Sequence, residues 1–572
     1  MESRVCKNCT KVFEITSDDF GFYTKLNVPA PTFCPDCRAQ RRLVWRNNMS
    51  LYTRPCDACQ KSTVSAYAPT TSIVQYCNKC WWGDSWDAKS FGREYDFQKP
   101  FFTQFKELLS VVPHIAMVND NGIASINCEY TYDWWFAKNC YMAFSGWQVE
   151  NVMYSFYVLA GRDMMDCTSI TDKNEWLYEC IDCERCYQLK YSQFAVSCTD
   201  SQFLYDCRGC SDCFLSAGLR NKKYCFKNEQ YSKEEYESIL ASYRLDTYSG
   251  VERARQEYHA FILLYPRRYA HIVHSTNSTG DLLTNCKNTH QAFNVQGAEN
   301  CKFYDFGTMP KDSYDISMTG EMSECYEGSV VDHSSRNVFG VFSVKSQDIR
   351  YTQHCHSGKH LFGCVGLRNA EYCILNKQYT KEEYEALVPR ISDHMNVMPY
   401  EDKNGCFYPY GENYPIELSP FGYNETFANE RFPLPREVAV EKGYAWQDGQ
   451  QRTTGRETIG SEAIPETIAE TSDTITKEIL ACCTCGRNYK IVAQEYVFYT
   501  KMNIPIPRNC FHCRHAARSA RRNPFHLWKR QCMCEETIHG HDTSCANEFE
   551  TSYAPSRKEI VYCESCYQKH TN

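Results

Sequence analysis

Near each end of the chain two Cys-x2-Cys pairs recur at one spacing, and this duplication constrains the fold more than any other feature. Cys6 and Cys9 are followed by Cys34 and Cys37; Cys482 and Cys485 are followed by Cys510 and Cys513. The gap from second to third cysteine is 25 positions in both copies, and from Cys37 to Cys56, as from Cys513 to Cys532, it is 19. Between them Phe22-Tyr23-Thr24-Lys25 matches Phe498-Tyr499-Thr500-Lys501. Two such pairs brought together give four thiolates in a tetrahedron, the closed donor set of a structural zinc site. The first module offers Cys6, Cys9, Cys34 and Cys37, then Cys56, Cys59, Cys77 and Cys80. The second offers Cys482, Cys485, Cys510 and Cys513, then a set disturbed by an insertion around His539-Gly540-His541. Counting back from a shared Tyr-Ala-Pro (Tyr67 and Tyr553) sets Cys545, Cys563 and Cys566 opposite Cys59, Cys77 and Cys80. The fourth ligand is Cys532 or Cys534, and Cys532 keeps the spacing. About four structural Zn2+ ions are expected.

These modules resemble a small zinc-ribbon family of bacteria. The resemblance rests on Cys-x2-Cys, an aromatic four residues on (Phe13, Tyr489), Phe-Tyr-x-Lys, and then Pro-x2-Cys-x2-Cys-Arg. The whole layout is similar to large cysteine-rich zinc-ribbon proteins of bacteria. The resemblance implies a bacterial source and assigns no chemistry.

Just past the second knuckle each module is basic. Arg38, Arg42 and Arg46, like Arg514, Arg518 and Arg522, fall at i, i+4 and i+8, so each trio predicts one face of a helix. A planar guanidinium suits phosphate oxygens, and a helix held by zinc presents such groups rigidly. Residues 1–80 hold 11 Lys and Arg against 6 Asp and Glu, and residues 478–572 hold 13 against 9. With a total of −8, the middle of the chain carries the acid. Nucleic acid, RNA or single strands before DNA, is therefore one expected partner. The blander reading of the same residues is a solvated charged face.

The middle beats in twelves. Asn139-Cys140, Asn151-Val152, Asp163-Met164 and Glu175-Trp176 recur every 12 residues, and Asn300-Cys301, Asp312-Ser313, Glu324-Cys325, Asn337-Val338, Asp348-Ile349 and His360-Leu361 follow at 11 to 13. That interval is too short for helix pairs and predicts strand–turn units stacked as a β-solenoid, two units to a coil, with period-two alternation inside strands such as Phe203-Leu204-Tyr205-Asp206-Cys207. The region is itself duplicated 148 positions apart: Gly218-Leu219-Arg220-Asn221 and Gln230-Tyr231-Ser232 return as Gly366-Leu367-Arg368-Asn369 and Gln378-Tyr379-Thr380. Ser232 and Thr380 each precede a glutamate by three residues, predicting capping boxes and a closing helix. Cys183, Cys186, Cys207 and Cys210 would lie on adjacent rungs in this scheme, where four thiolates suit a fifth zinc or an iron–sulfur cluster; a column of buried thiols is the plainer reading.

The expected fold is mostly β: duplicated zinc-ribbon modules at both termini flanking a duplicated β-solenoid-like region with short helices. The expected segments are a double module over 1–100, solenoid copies over 115–238 and 276–392 with a helical connection 239–275 between them, an aromatic, Pro-rich extension 393–447, a flexible linker 448–476, and a second double module 477–572. Absence of an apolar run of 18 residues and of an apolar leader disfavours membrane spans and classical secretion, and 36 cysteines without an export signal point to metal ligation in the cytoplasm. No phosphate loop, dinucleotide fingerprint, zincin or nucleophile-elbow motif occurs, so a zinc-binding, non-enzymatic protein is expected, with nucleic-acid binding, a protein–protein scaffold, or an enzyme with a Cys/His site such as His354-Cys355-His356 as its readings. Oligomeric state is not legible. Trp81-Trp82, Trp86 and Trp134-Trp135 suit either stacking on bases or core packing.

Overall fold

The computed structural model describes residues 1–47, 49–449, 453–541 and 543–571. It is mostly β, with many parallel strands. Two units divide the chain: Met1–Met117 with Ala270–Gln450 and Phe525–Leu527, and Val118–Tyr269 with Gln451–Pro524 and Trp528–Asn572. Each unit thus pairs one terminal module with the central copy farther from it in sequence.

In the unit that begins at Val118, strands Ile126–Glu129, Lys138–Tyr141, Glu150–Met153 and Arg162–Met165 pair in parallel, with Ile126 opposite Lys138, Lys138 opposite Glu150, and Glu150 opposite Arg162. The strands that alternate with these in sequence form a second parallel sheet, from Tyr132–Trp135 through Phe144–Trp147 and Phe156–Leu159 to Ile181–Glu184. One twelve-residue unit therefore climbs a whole rung, where two units per rung were expected. A single extra residue enters at Arg162 opposite Glu175, after which the offset of twelve resumes through Lys223–Phe226. The other unit repeats the arrangement from Gly280–Thr284 to Glu371–Ile374.

Inside a rung the period is three, not two. From Leu283 to Cys373 every third residue is buried without interruption; in the first copy the same holds from Cys128 to Ile170 and, after the extra residue, from Asn174 to Ser216. In the stretch Phe203-Leu204-Tyr205-Asp206-Cys207, Leu204 and Cys207 face inward, and Phe203 and Tyr205 do not share their column, contrary to an alternation of two. The residue before nearly every inward one is left-handed, as at Asn139, Met142, Ser145, Gln148 and Asn151, with φ between 48° and 59°. Asn and Asp tolerate that region best, which accounts for the Asn-Cys and Asp-Met beat. Their side chains also chain from rung to rung: Asn127 donates to Asn139, Asn139 to Asn151, and Asn151 to Asp163, at 3.0, 3.1 and 2.9 Å.

Four inward side chains per rung leave room for little beyond Ala, Cys, Ser, Val and Leu. Where Trp134 enters, Gly146 on the next rung makes space, since a Cβ there would sit 2.2 Å from the indole. Cysteine suits the interior because its thiol also satisfies a carbonyl nine residues on, as Cys186 does with Ala195 at 3.4 Å and Cys364 with Cys373 at 3.3 Å. The predicted capping boxes form at Ser232–Glu235 and Thr380–Glu383, opening helices Lys233–Ser242 and Lys381–Val397.

Of the stretch read as a flexible linker, residues 450–452 lie outside the described residues. Beyond them Ile464, Ile468 and Ile475 are buried, and Glu466 accepts from the Tyr248 and Ser249 N–H groups. Apolar burial fixes this segment, contrary to the expectation of a free linker.

Candidate metal centres

Each knuckle starts as a short antiparallel hairpin: Glu2–Val5 with Val12–Ile15, Tyr52–Pro55 with Ser62–Ser65, and Leu480–Ala481 with Asn488–Tyr489. The tight turn behind its first cysteine needs positive φ, supplied by Thr10, Gln60 and Gly486 at 61°, 61° and 68°. The other pair in each set opens a helix, with Cys34 capping Pro35–Leu43, Cys77 capping Asn78–Trp82 and Cys510 capping Phe511–Arg521. Helix N-termini favour thiolate, and so do the N–H groups of Cys34, Cys77 and Cys563, which donate to the sulfurs of Cys6, Cys56 and Cys532 at 3.2, 3.1 and 3.2 Å.

The sulfurs of Cys6, Cys9, Cys34 and Cys37 converge, as do those of Cys56, Cys59, Cys77 and Cys80, of Cys482, Cys485, Cys510 and Cys513, and of Cys532, Cys545, Cys563 and Cys566; within each set all lie within 4.8 Å of one another. Cys9 and Cys34 are 3.6 Å apart, Cys59 and Cys77 4.0 Å, Cys485 and Cys510 3.7 Å, and Cys545 and Cys563 4.0 Å. Four sulfurs about 2.3 Å from a tetrahedral ion stand roughly 3.8 Å apart, so the donor sets fit zinc. In the last quartet the fourth converging sulfur is that of Cys532. Burial would push the Cys482 thiol up, but the N–H groups of Cys510 and Cys485 bring it down to about 7. At Cys34 the neighbouring Cys37 thiol brings the value down to about 5 and is itself driven up, as expected of a crowded set sharing protons.

The arginine faces of the basic helices do not meet solvent. Arg38 and Arg42 close on Asp315 at 2.9 and 3.1 Å, and Arg514 and Arg518 on Asp166 at 2.9 and 2.7 Å. Both carboxylates are fully buried, and both sit at left-handed corners of the ladder. Arg522, just past its helix, pairs with Asp182 at 3.0 Å. Helix Pro35–Leu43 ends before Arg46, which is buried with its guanidinium 5.9 Å from the Phe342 ring. Arg41, absent from the trio, is bound to Glu327 and Glu412 at 2.6 and 2.7 Å; its two partners lie 286 and 371 positions away and no local pattern marks it. The expectation that Arg38, Arg42, Arg46, Arg514, Arg518 and Arg522 meet phosphate finds no support: ladder carboxylates pair with five of them, and Arg46 is buried against Phe342.

The proposed quartet within the ladder is likewise spread out. The offset of twelve sets Cys183 under Ala195 and Cys207 above it, so Cys183 and Cys207 are two rungs apart, while Cys186, Cys198 and Cys210 form one column. Cys183 and Cys186 donate to the Ser192 and Ala195 carbonyls, the role of a core thiol. His354 and His356, considered for catalysis, are packed: His354 stacks on Phe342 at 5.4 Å, and His356 meets Trp82 at 5.0 Å. Trp81 and Trp134 are fully buried.

No family model matches the chain, and no curated protein matches it. Among solved structures, a "putative acetyltransferase" from Desulfovibrio desulfuricans G20 aligns with 50% of this chain and 85% of its own at 9% identity, with a TM-score of 0.10. Likeness at that score carries no argument. No helix among the described residues is long and apolar enough to cross a membrane.

Proposed function

We propose that the chain is a zinc-stapled scaffold, in which two β-solenoid ladders are each clamped by the basic helix of a zinc ribbon and offer their outer faces to a protein partner. The observation that carries this reading is the matched burial of Arg38 and Arg42 around Asp315 and of Arg514 and Arg518 around Asp166. Binding to a phosphate backbone needs cations that exchange counterions for phosphates, and these arginines already have carboxylates. The repeated twelve-residue offset and the inward period of three support the solenoid; the hairpin–knuckle–helix order supports the ribbon. Zinc in such modules supplies folding energy and no open coordination position. On the terminal strand Ile126–Glu129 and its neighbouring turns, Ile123, Ile126 and Phe136 are exposed, apolar residues of the kind a partner protein covers.

Fluorescence anisotropy of the full chain with a single-stranded RNA at 50 and 200 mM salt tests this reading. It predicts weak association with little salt dependence. A loss of affinity of about a thousandfold between those salts would return the basic helices to a nucleic-acid role.

A further inference from the structure

The first module closes its second knuckle with two residues between Cys56 and Cys59. The last module has twelve between Cys532 and Cys545. This insertion carries Cys534, His539 and His541, none of which the neighbouring four-cysteine set uses. All three converge: the donor atoms of Cys534, His539, His541 and Cys566 lie within 4.8 Å of one another. Cys534 Sγ is 3.0 Å from His539 Nδ1, and Cys566 Sγ is 3.7 Å from His541 Nε2. Zinc about 2.3 Å from sulfur and 2.0–2.1 Å from nitrogen sets such pairs roughly 3.6 Å apart.

We propose that the insertion builds a further zinc site from Cys534, His539 and His541, with the Cys566 thiolate shared between it and the adjacent quartet; the proposal rests on zinc occupying that quartet. The imidazoles are held as ligands are. His539 aims Nδ1 at the cluster while the Glu536 carboxylate lies 3.2 Å from its Nε2, and Glu536 is fixed by the Tyr562 hydroxyl and His570 at 3.0 and 3.1 Å. His541 sets Nδ1 2.8 Å from the Thr543 carbonyl, leaving Nε2 for the metal. A carboxylate or carbonyl behind a ligating imidazole fixes its tautomer and raises its basicity. Gly540, at φ +89°, turns the chain between the two histidines. Cys534 is 0% exposed and His539 4%, which denies a substrate to a Cys–His nucleophile. Sharing Cys566 also sets five thiolates against two dications, a smaller net charge per ion than four thiolates against one.

Zinc per full-length chain, counted by native mass spectrometry, tests the site. Wild type should hold one ion more than Cys534→Ala and one more than His541→Ala; His541 is half-exposed, so its replacement spares the core. Equal counts in all three chains would overturn the proposal and leave Cys534 and His539 as a buried thiol–imidazole hydrogen bond. Cys532→Ala reads the quartet separately: its count must also fall, and a count equal to wild type would break the neighbouring site and with it the shared ligand.

Discussion

Single buried carboxylates organise each unit. Asp166 answers both Arg514 and Arg518, and its removal leaves two buried cations without their shared carboxylate. Asp166→Ala should cost about 3–5 kcal/mol in denaturant unfolding, the range for breaking a buried pair from one side; a loss under about 1 kcal/mol would show that the helix docks on apolar contacts alone. Histidines packed against aromatic rings give the unit that begins at Met1 a pH dependence of definite sign. Burial holds His114 down to about 4 and His356 to about 3, with Arg368 opposing charge on the latter. Their folded values lie below the unfolded value of about 6.5, so the unfolded chain takes up protons that the folded chain refuses. Stability is therefore full above pH 6.5 and falls as pH drops, by up to about 1.4 kcal/mol per pH unit for each histidine. Unfolding measured from pH 7 to 5 should show this slope, and His356→Phe should flatten it; an unchanged slope would place the titration elsewhere.

The ladder was half legible as an element. Its twelve-residue beat stands out because Asn and Asp recur at corners such as Asn139, Asn151 and Asp163, where the backbone is left-handed. Its period of three is also written in the chain, at Cys180, Cys183, Cys186 and Leu189 and again at Cys207, Cys210 and Cys213, all buried. It is masked because alternation in strands is ordinarily two, and because neighbours such as Phe203 and Tyr205 are apolar for another reason: they pack outward under other segments of the unit. Interior volume follows from that period. Gly146→Ala should destabilise by about 1–3 kcal/mol, since its Cβ would strike the Trp134 ring. Gly21→Ala, in helix Ser17–Lys25 with nothing within 4 Å of the added atom, should stabilise by about 0.5–1 kcal/mol. Thermal melts of the two variants moving in the same direction would contradict this account of the interior.

Across the whole molecule the cysteines divide by physics. Those at the ends converge in quartets, apart from Cys534 and the exposed Cys483; those in the middle line the rungs, apart from Cys406, which is only half-buried. Spacing alone located the quartets because a knuckle is a local motif with a fixed reach. The destination of the basic helices was hidden, since Asp315 lies 273 positions from Arg42 and Asp166 352 from Arg518, and no local signal connects them. Net charge by segment hinted at it, because the basic ends and acidic middle that suggested an outside ligand are each other's partners within each unit. The claim that binds these scales is that the terminal modules are closed four-thiolate zinc sites. Zinc X-ray absorption on full-length His541→Ala, together with its zinc count, tests this most directly. The account predicts about four ions per chain in an all-sulfur shell near 2.3 Å. Two ions or fewer, or a shell dominated by nitrogen and oxygen, would contradict it.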